Sequence, residues 1–285
     1  MSERGGELTR DGARAMLLAA QGLERPPTRA ATRDDLLTAI RRMGVLQIDT
    51  INVIARSPYL VLFSRIGAFE LRWLEELLAE RQIFEYWSHE ASFLPIEDYG
   101  YSLAFMRDSS GRSARYAQAW IAENRALVDT ILERVRDSGP VRSSDFVRSD
   151  GQKGSWWNWK VEKYALEMLY TSGELMIAGR VNFQRIYDLR ERVLPMWDAA
   201  SPPTMAATRR AQALLAVRAL GVAPARWVAD YFRSKTKPTL DVMRELVDDS
   251  ALIGSASLAS NSPGTSTPIT RRCWSERCLG RLIRA

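Results

Sequence analysis

Apolar positions recur at helical spacing along most of this chain. Between Leu8 and Gly22, the residues Ala13, Met16, Leu17 and Ala20 fall on one face, and Thr9 stands where an N-cap is needed. Beyond Pro26 and Pro27 a second stripe follows, made of Leu36, Leu37, Ile40 and Met43. Thr32 opens it, Asp34 and Asp35 occupy its first turn, and Gly44 closes it. The period then changes. Through Val45-Leu46-Gln47-Ile48-Asp49-Thr50-Ile51, apolar and polar residues alternate as in a half-buried strand. In an extended chain Gln47 and Asp49 share one face, their Cα atoms about 7 Å apart, while Leu46 and Ile48 share the other. Phe69 to Arg81 returns to helical spacing on Leu71, Trp73, Leu74, Leu77 and Leu78. From Ile83 to Pro95, aromatic strand-prone residues flank Ser88-His89-Glu90, which predicts a hairpin with His89 at or near its tip.

Helices are expected over Ile96 to Arg107 and Tyr116 to Asp137, and from Asn124 a recurring order can be read. A helix ends at Gly139-Pro140, and a short one starts near Ser143 or Ser144. After the break at Gly151 to Gly154, another spans about Trp157 to Thr171, with Gly173 closing it. Glu174 to Arg180 then faces Gln184 to Leu189 across Val181-Asn182-Phe183. Three helices and a hairpin make a winged helix-turn-helix. The order starts again with helices over Thr208 to Leu220, Pro224 to Phe232 and Pro238 to Asp249, and Ala251 to Gly254 should begin a wing. There the composition shifts: Ser255 to Thr270 is rich in Ser, Thr, Pro and Asn, and Arg271 to Ala285 is basic. The third hairpin is therefore expected to remain incomplete. Its tail reads either as a disordered basic extension or as a divergent end produced by a shifted reading frame. The expected fold is mainly α with small β-hairpins (α+β), built of tandem winged helix-turn-helix units. Its divisions are 1–120, 121–200, 201–254 with a truncated wing, and a divergent tail 255–285.

Composition narrows the chemistry. Forty Lys and Arg against 34 Asp and Glu give the 285 residues a net charge of +6, which suits a polyanionic partner. The cations are mostly Arg, the better bidentate phosphate ligand. His89 is the one histidine, and the two cysteines, Cys273 and Cys278, lie in the tail. A histidine-based zinc site is excluded, as is a Ser-His-Asp mechanism without His89. No apolar run of about 18 residues occurs, and the N-terminus is polar. A cytoplasmic, monomeric protein without metal, cofactor or membrane association is expected.

The chemistry-bearing candidates follow from the pattern. An amide and a carboxylate on one face, Gln47 and Asp49, can hold and polarise a water; the same two residues could equally be solvated positions on an edge strand. His89 at a hairpin tip can touch phosphate or a base edge, or be an ordinary surface residue. Trp156-Trp157-Asn158-Trp159-Lys160 and Lys163 begin the expected recognition helix, where Asn158, Lys160 and Lys163 could reach DNA while the tryptophans pack. Arg180 and Arg185 bracket the second hairpin and suit phosphate contacts, or surface ion pairs with Glu174 or Asp188. Arg56 and Arg65 flank the Gln47/Asp49 stretch as further cationic candidates.

Three passages together resemble the YcaQ/AlkZ-like winged-helix DNA glycosylases. They are Leu46 to Thr50 with its continuation Phe63-Ser64-Arg65-Ile66-Gly67, Tyr86 to Ser92, and Trp157 to Lys160 through Ala165-Leu166-Glu167 and Gly173 to Met176 to Arg185–Pro195. The resemblance implies tandem winged-helix units and a catalytic motif of Gln, an apolar residue, and Gln or Asp. That motif maps onto Gln47-Ile48-Asp49. It further implies hydrolytic excision of N7-alkylated guanine, including interstrand crosslinks, from double-stranded DNA. Since no lysine nucleophile is implied, strand cleavage is not expected.

Overall fold

The computed structural model describes residues 8–49, 51–88, 90–108, 110–146, 160–197, 202–255 and 269–271. The chain divides into two compact units, Met1–Phe69 with Ala206–Ala285, and Glu70–Met205. This grouping joins the start of the chain to its end, whereas the sequence pattern alone suggests divisions in chain order at 120 and 200.

In the first unit, α1 (Arg10–Ala20) is capped by Thr9, whose side chain accepts from the Gly12 N–H. The second helix, α2 (Arg33–Met43), carries a full capping box, in which Thr32 and Asp35 each satisfy the other's backbone. Arg29 donates to both Asp35 oxygens, and this pairing, ahead of the cap itself, holds the carboxyl far below its ordinary range. Gly44 ends α2 at φ 71°, a left-handed value that suits glycine. Next come β1 (Leu46–Gln47) and α3 (Ser57–Ile66). Sequence periodicity does not reveal α3, because Leu60 and Phe63 are exposed while Leu62 is buried, so its apolar residues surround the helix.

The second unit begins with α4 (Arg72–Ala79) and the hairpin of β2 (Ile83–Trp87) and β3 (Ala91–Pro95). A 3-10 turn over Ile96–Asp98 leads into α5 (Tyr99–Arg107), then α6 (Arg112–Glu123) and α7 (Arg125–Ser138). The short strand β4 (Val141–Arg142), α8 (Val161–Ser172), β5 (Leu175–Val181), β6 (Gln184–Leu189) and α9 (Arg190–Val193) complete it. The expected helix near Ser143 is a single 3-10 turn, Ser143–Asp145. Strands order β4-β6-β5, and Val181 pairs with Gln184 across Asn182 and Phe183. Both turn residues have positive φ, 49° and 66°, the primed geometry that matches strand twist. Tyr99, Tyr170, Phe84 and Leu166 are among the largest fully buried side chains here.

Returning to the first unit, α10 (Met205–Leu220) enters from its last residue of the preceding unit and is followed by β7 (Val222–Pro224), α11 (Ala225–Tyr231) and α12 (Thr236–Asp248). Ala216, Val217, Val228, Met243 and Leu246 form their shared core. The chain-end helices join the first ones through specific bonds. Gln21 Nε2 donates to the Ala219 carbonyl at 2.7 Å, and the Tyr231 hydroxyl donates to the Met43 carbonyl at 2.7 Å. Gly221, at φ 71°, lets the backbone pass so close that an added Cβ would lie 2.8 Å from the Met16 carbonyl oxygen.

One expectation is corrected here. The third hairpin does form: β8 (Ile253–Ser255) and β9 (Ile269–Arg271) pair antiparallel, and the sheet order is β7-β9-β8. Its strands have three residues each, too short to emerge from a Ser/Thr/Pro-rich composition as a pattern.

Gly221→Ala is expected to lower unfolding free energy by about 2–4 kcal/mol, summing left-handed strain and overpacking. Gly139 has open space around it, but its φ 81° and ψ −157° fall where only glycine sits easily, so Gly139→Ala should cost about 1–3 kcal/mol from backbone strain without overpacking. Urea unfolding of the two variants checks the difference.

Candidate active site and nucleic-acid interface

Leaving Gly44, the chain runs with alternating burial: Leu46 buried, Gln47 exposed, Ile48 buried, Asp49 half-exposed. Only Leu46 and Gln47 are in a strand, but the alternation carries on to Asp49. The apolar pair Leu46 and Ile48 anchors the segment, and the amide and carboxylate are thereby turned to the opposite, outward face. Asp49 Oδ1 accepts the Ile51 N–H at 2.9 Å, a side-chain turn that fixes the carboxylate against its own backbone. Among the described residues, no hydrogen bond engages Asp49 Oδ2 or the Gln47 amide. Such a pair can offer a water an acceptor with charge on one side and a donor-acceptor amide on the other.

The cations near this stretch have different environments. Arg56 is half-buried at the start of α3. Arg65 is turned inward, donating to the Val61 carbonyl at 2.9 Å, Ser64 Oγ at 3.0 Å and Gln21 Oε1 at 2.8 Å. Its half-burial lowers the guanidinium pKa, with Tyr231 acting in the opposite sense. Since Gln21 also holds Ala219, Arg65 links α3 to α1 and α10. Arg65, expected as a cationic candidate for DNA, is thus engaged in internal bracing here. It lines a depression of about 190 Å³ with Gln21, Thr38 and Arg42, to which neither Gln47 nor Asp49 contributes.

In the second unit Arg180 and Arg185, expected as phosphate contacts or surface ion pairs, are engaged in buried ion pairs. Arg180 donates to both oxygens of Glu85 at 2.9 and 2.8 Å. Arg185 donates to Glu85 at 2.6 Å and to both oxygens of Glu167 at 2.8 and 2.9 Å. Their side chains are 6% and 15% exposed, and that of Glu85 is 0% exposed. Tyr187 donates to Glu167 at 2.9 Å. Burial opposes the Arg185 charge, but Glu85 first, then Tyr170 and Glu167, raise its pKa above the ordinary arginine value. The partners are not Glu174 or Asp188; Asp188 instead pairs with Arg192. The sequence pattern assigns no role to Glu85 or Glu167. Their signal was present, since each is a lone carboxylate within an apolar run (Ile83-Phe84-Glu85-Tyr86-Trp87 and Ala165-Leu166-Glu167-Met168-Leu169) and must be paired if buried.

At the start of α8, Lys160 Nζ donates to the Phe146 carbonyl at 2.7 Å. Lys163 is half-buried in the first turn; desolvation lowers its ammonium pKa, Glu167 raises it, and Arg185 and Lys160 lower it again. His89 and Asn158, with Trp156, Trp157 and Trp159, lie outside the described residues.

This assembly of helices with small antiparallel sheets has a family. The model for DNA glycosylase AlkZ-like proteins matches residues 40–262, a stretch that includes Gln47 and Asp49, and the chain belongs to that family of DNA glycosylases. Among solved structures it is similar to Streptomyces sahachiroi DNA glycosylase AlkZ, with a TM-score of 0.62 and 15% identity over 98% of this chain and 73% of that one. At that identity the likeness is one of fold.

Glu85→Gln leaves two buried guanidiniums short of a countercharge, and a loss of about 3–5 kcal/mol is expected. Denaturant unfolding checks it, and a loss under about 1 kcal/mol would show that the network is not needed for stability.

Proposed function

We propose that the chain is a monofunctional DNA glycosylase acting on N7-alkylated guanine in double-stranded DNA, interstrand crosslinks included, through a water held by Gln47 and Asp49. The observation that supports the reading is the alternation of burial that leaves both Gln47 and Asp49 accessible beside buried Leu46 and Ile48, with one Asp49 oxygen tied to Ile51 and the other not engaged by any described residue. Membership of the glycosylase family supports the reaction class. Two of the three-stranded sheets, β4-β6-β5 and β7-β9-β8, each built with neighbouring helices, support a reading as tandem winged-helix units.

The chemistry asks little of the protein. N7 alkylation makes the purine cationic, so it departs without a strong general acid. As the C1′–N9 bond breaks, its electron pair neutralises the purine and positive charge builds on the sugar. The Asp49 carboxylate stabilises that oxocarbenium-like centre. Gln47 aims the water at C1′, a C1′–O bond forms, and the water's proton passes to Asp49. No step requires a cofactor or a lysine nucleophile, and the phosphodiester backbone stays intact.

Release of 7-methylguanine from alkylated duplex DNA, under single turnover, tests the assignment. Asp49→Asn keeps an oxygen for the Ile51 N–H but removes the charge, and should slow excision by about 10²–10⁴. Gln47→Ala should slow it on the order of 10², with DNA affinity retained. Equal activity in wild type and both variants would remove the site. Duplex binding with no excision at any enzyme concentration would favour a non-catalytic DNA-binding protein.

A further inference from the structure

Along β2 the side chains of Ile83, Phe84, Glu85 and Tyr86 are buried, and the strand then ends on a Trp87 that is 40% exposed. A tryptophan left in water at the end of a buried strand is costly unless it packs or binds something. Trp87 is held from beneath. The Arg185 guanidinium lies 5.1 Å from its ring centroid, and the ring of Tyr170 meets it edge-on at 6.0 Å and 61°. Arg185 is itself stacked 5.0 Å from the Tyr170 ring and fixed by Glu85 and Glu167. Tyr170 is fully buried. The indole thus rests on a base that cannot easily move, with an orientation largely set before any ligand arrives.

Charge indicates what the exposed ring could receive. Arg180 and Arg185 are balanced by Glu85 and Glu167, so the support beneath Trp87 carries no net charge. Lys163, in the first turn of α8, interacts electrostatically with Glu167 and Arg185. An exposed aromatic face over an electrically neutral support matches a nucleobase, which stacks through its π-face whatever its identity. We propose that Trp87 is a stacking platform for a DNA base displaced from the duplex. The inference rests on the reading that the chain acts on bases in DNA, and it assigns a binding role to a residue separate from Gln47 and Asp49.

Binding measurements test it independently of catalysis. Fluorescence anisotropy compares the full-length wild type, Trp87→Ala and Trp87→Phe on two labelled, undamaged duplexes, one fully paired and one with a single unpaired guanine. The wild type should prefer the duplex with the unpaired base. Trp87→Ala should lose roughly 5- to 150-fold in affinity for that duplex, with little change for the paired one. Trp87→Phe should keep most of the preference, and the salt dependence should be the same in all three, since no phosphate contact is removed. The inference is overturned if the wild type shows no preference, if Trp87→Ala keeps it, or if Trp87→Ala weakens both duplexes equally, as a merely structural role would. A chain that fails to excise 7-methylguanine yet shows a Trp87-dependent preference supports the platform and removes the catalytic reading alone.

Discussion

Glu85 has no exposed side-chain surface, and a carboxylate in that position requires compensation on every side. Arg180 and Arg185 both turn onto it, and Arg185 reaches on to Glu167 in α8. Through these bonds the β2–β3 hairpin, the β5–β6 hairpin and α8 are fastened by directional contacts rather than by apolar packing alone. Buried charge of this kind contributes less to net stability than its short distances suggest, because desolvation offsets most of the attraction. Its value lies in permitting few alternative arrangements: a shift of either hairpin would strand a charge in a dry interior. The aromatic rings of Trp87, Tyr170 and Tyr187 are arranged around the same guanidinium and hydroxyl contacts.

The other unit relies on a different constraint. There the segments from the two ends of the chain are tied by neutral hydrogen bonds, Gln21 to Ala219 and Tyr231 to Met43, and by the close backbone passage at Gly221. Burial pushes the Tyr231 hydroxyl up to about 12, despite the opposing influence of Arg65, so it remains a donor throughout the ordinary pH range. Anchored by these bonds, α2 presents Gly44 and the short extended segment after it in one fixed direction. Gln47 and Asp49 inherit that direction from Leu46 and Ile48.

Much of this was legible in the sequence because it is local. The caps Thr9 and Thr32, the left-handed stops Gly44 and Gly173, and the alternation around Gln47 and Asp49 all follow from residues within a few positions of one another. Pairings distant along the chain were not legible. Arg180 and Arg185 looked like surface cations because their partner Glu85 lies about a hundred residues earlier, and Arg65 could not be placed without Gln21. Helix α3 escaped because its apolar residues are partly exposed, which removes the periodic signal. The third hairpin escaped because backbone pairing of three residues needs little from composition. Of the candidate site, the face was readable and the bond from Asp49 to Ile51 was not.

That last bond determines what a substitution at position 49 would change in this chain. One carboxylate oxygen is occupied as a local brace, at 2.9 Å from the Ile51 nitrogen, and this brace sets where the second oxygen stands. A glutamate there would retain the charge, but its extra methylene would either abandon the brace or carry the second oxygen away from its present place. A serine could imitate the brace and would bring no charge. Aspartate alone among the acidic residues combines both properties at this reach, so in this chain the place of the second oxygen depends on side-chain length as well as on charge.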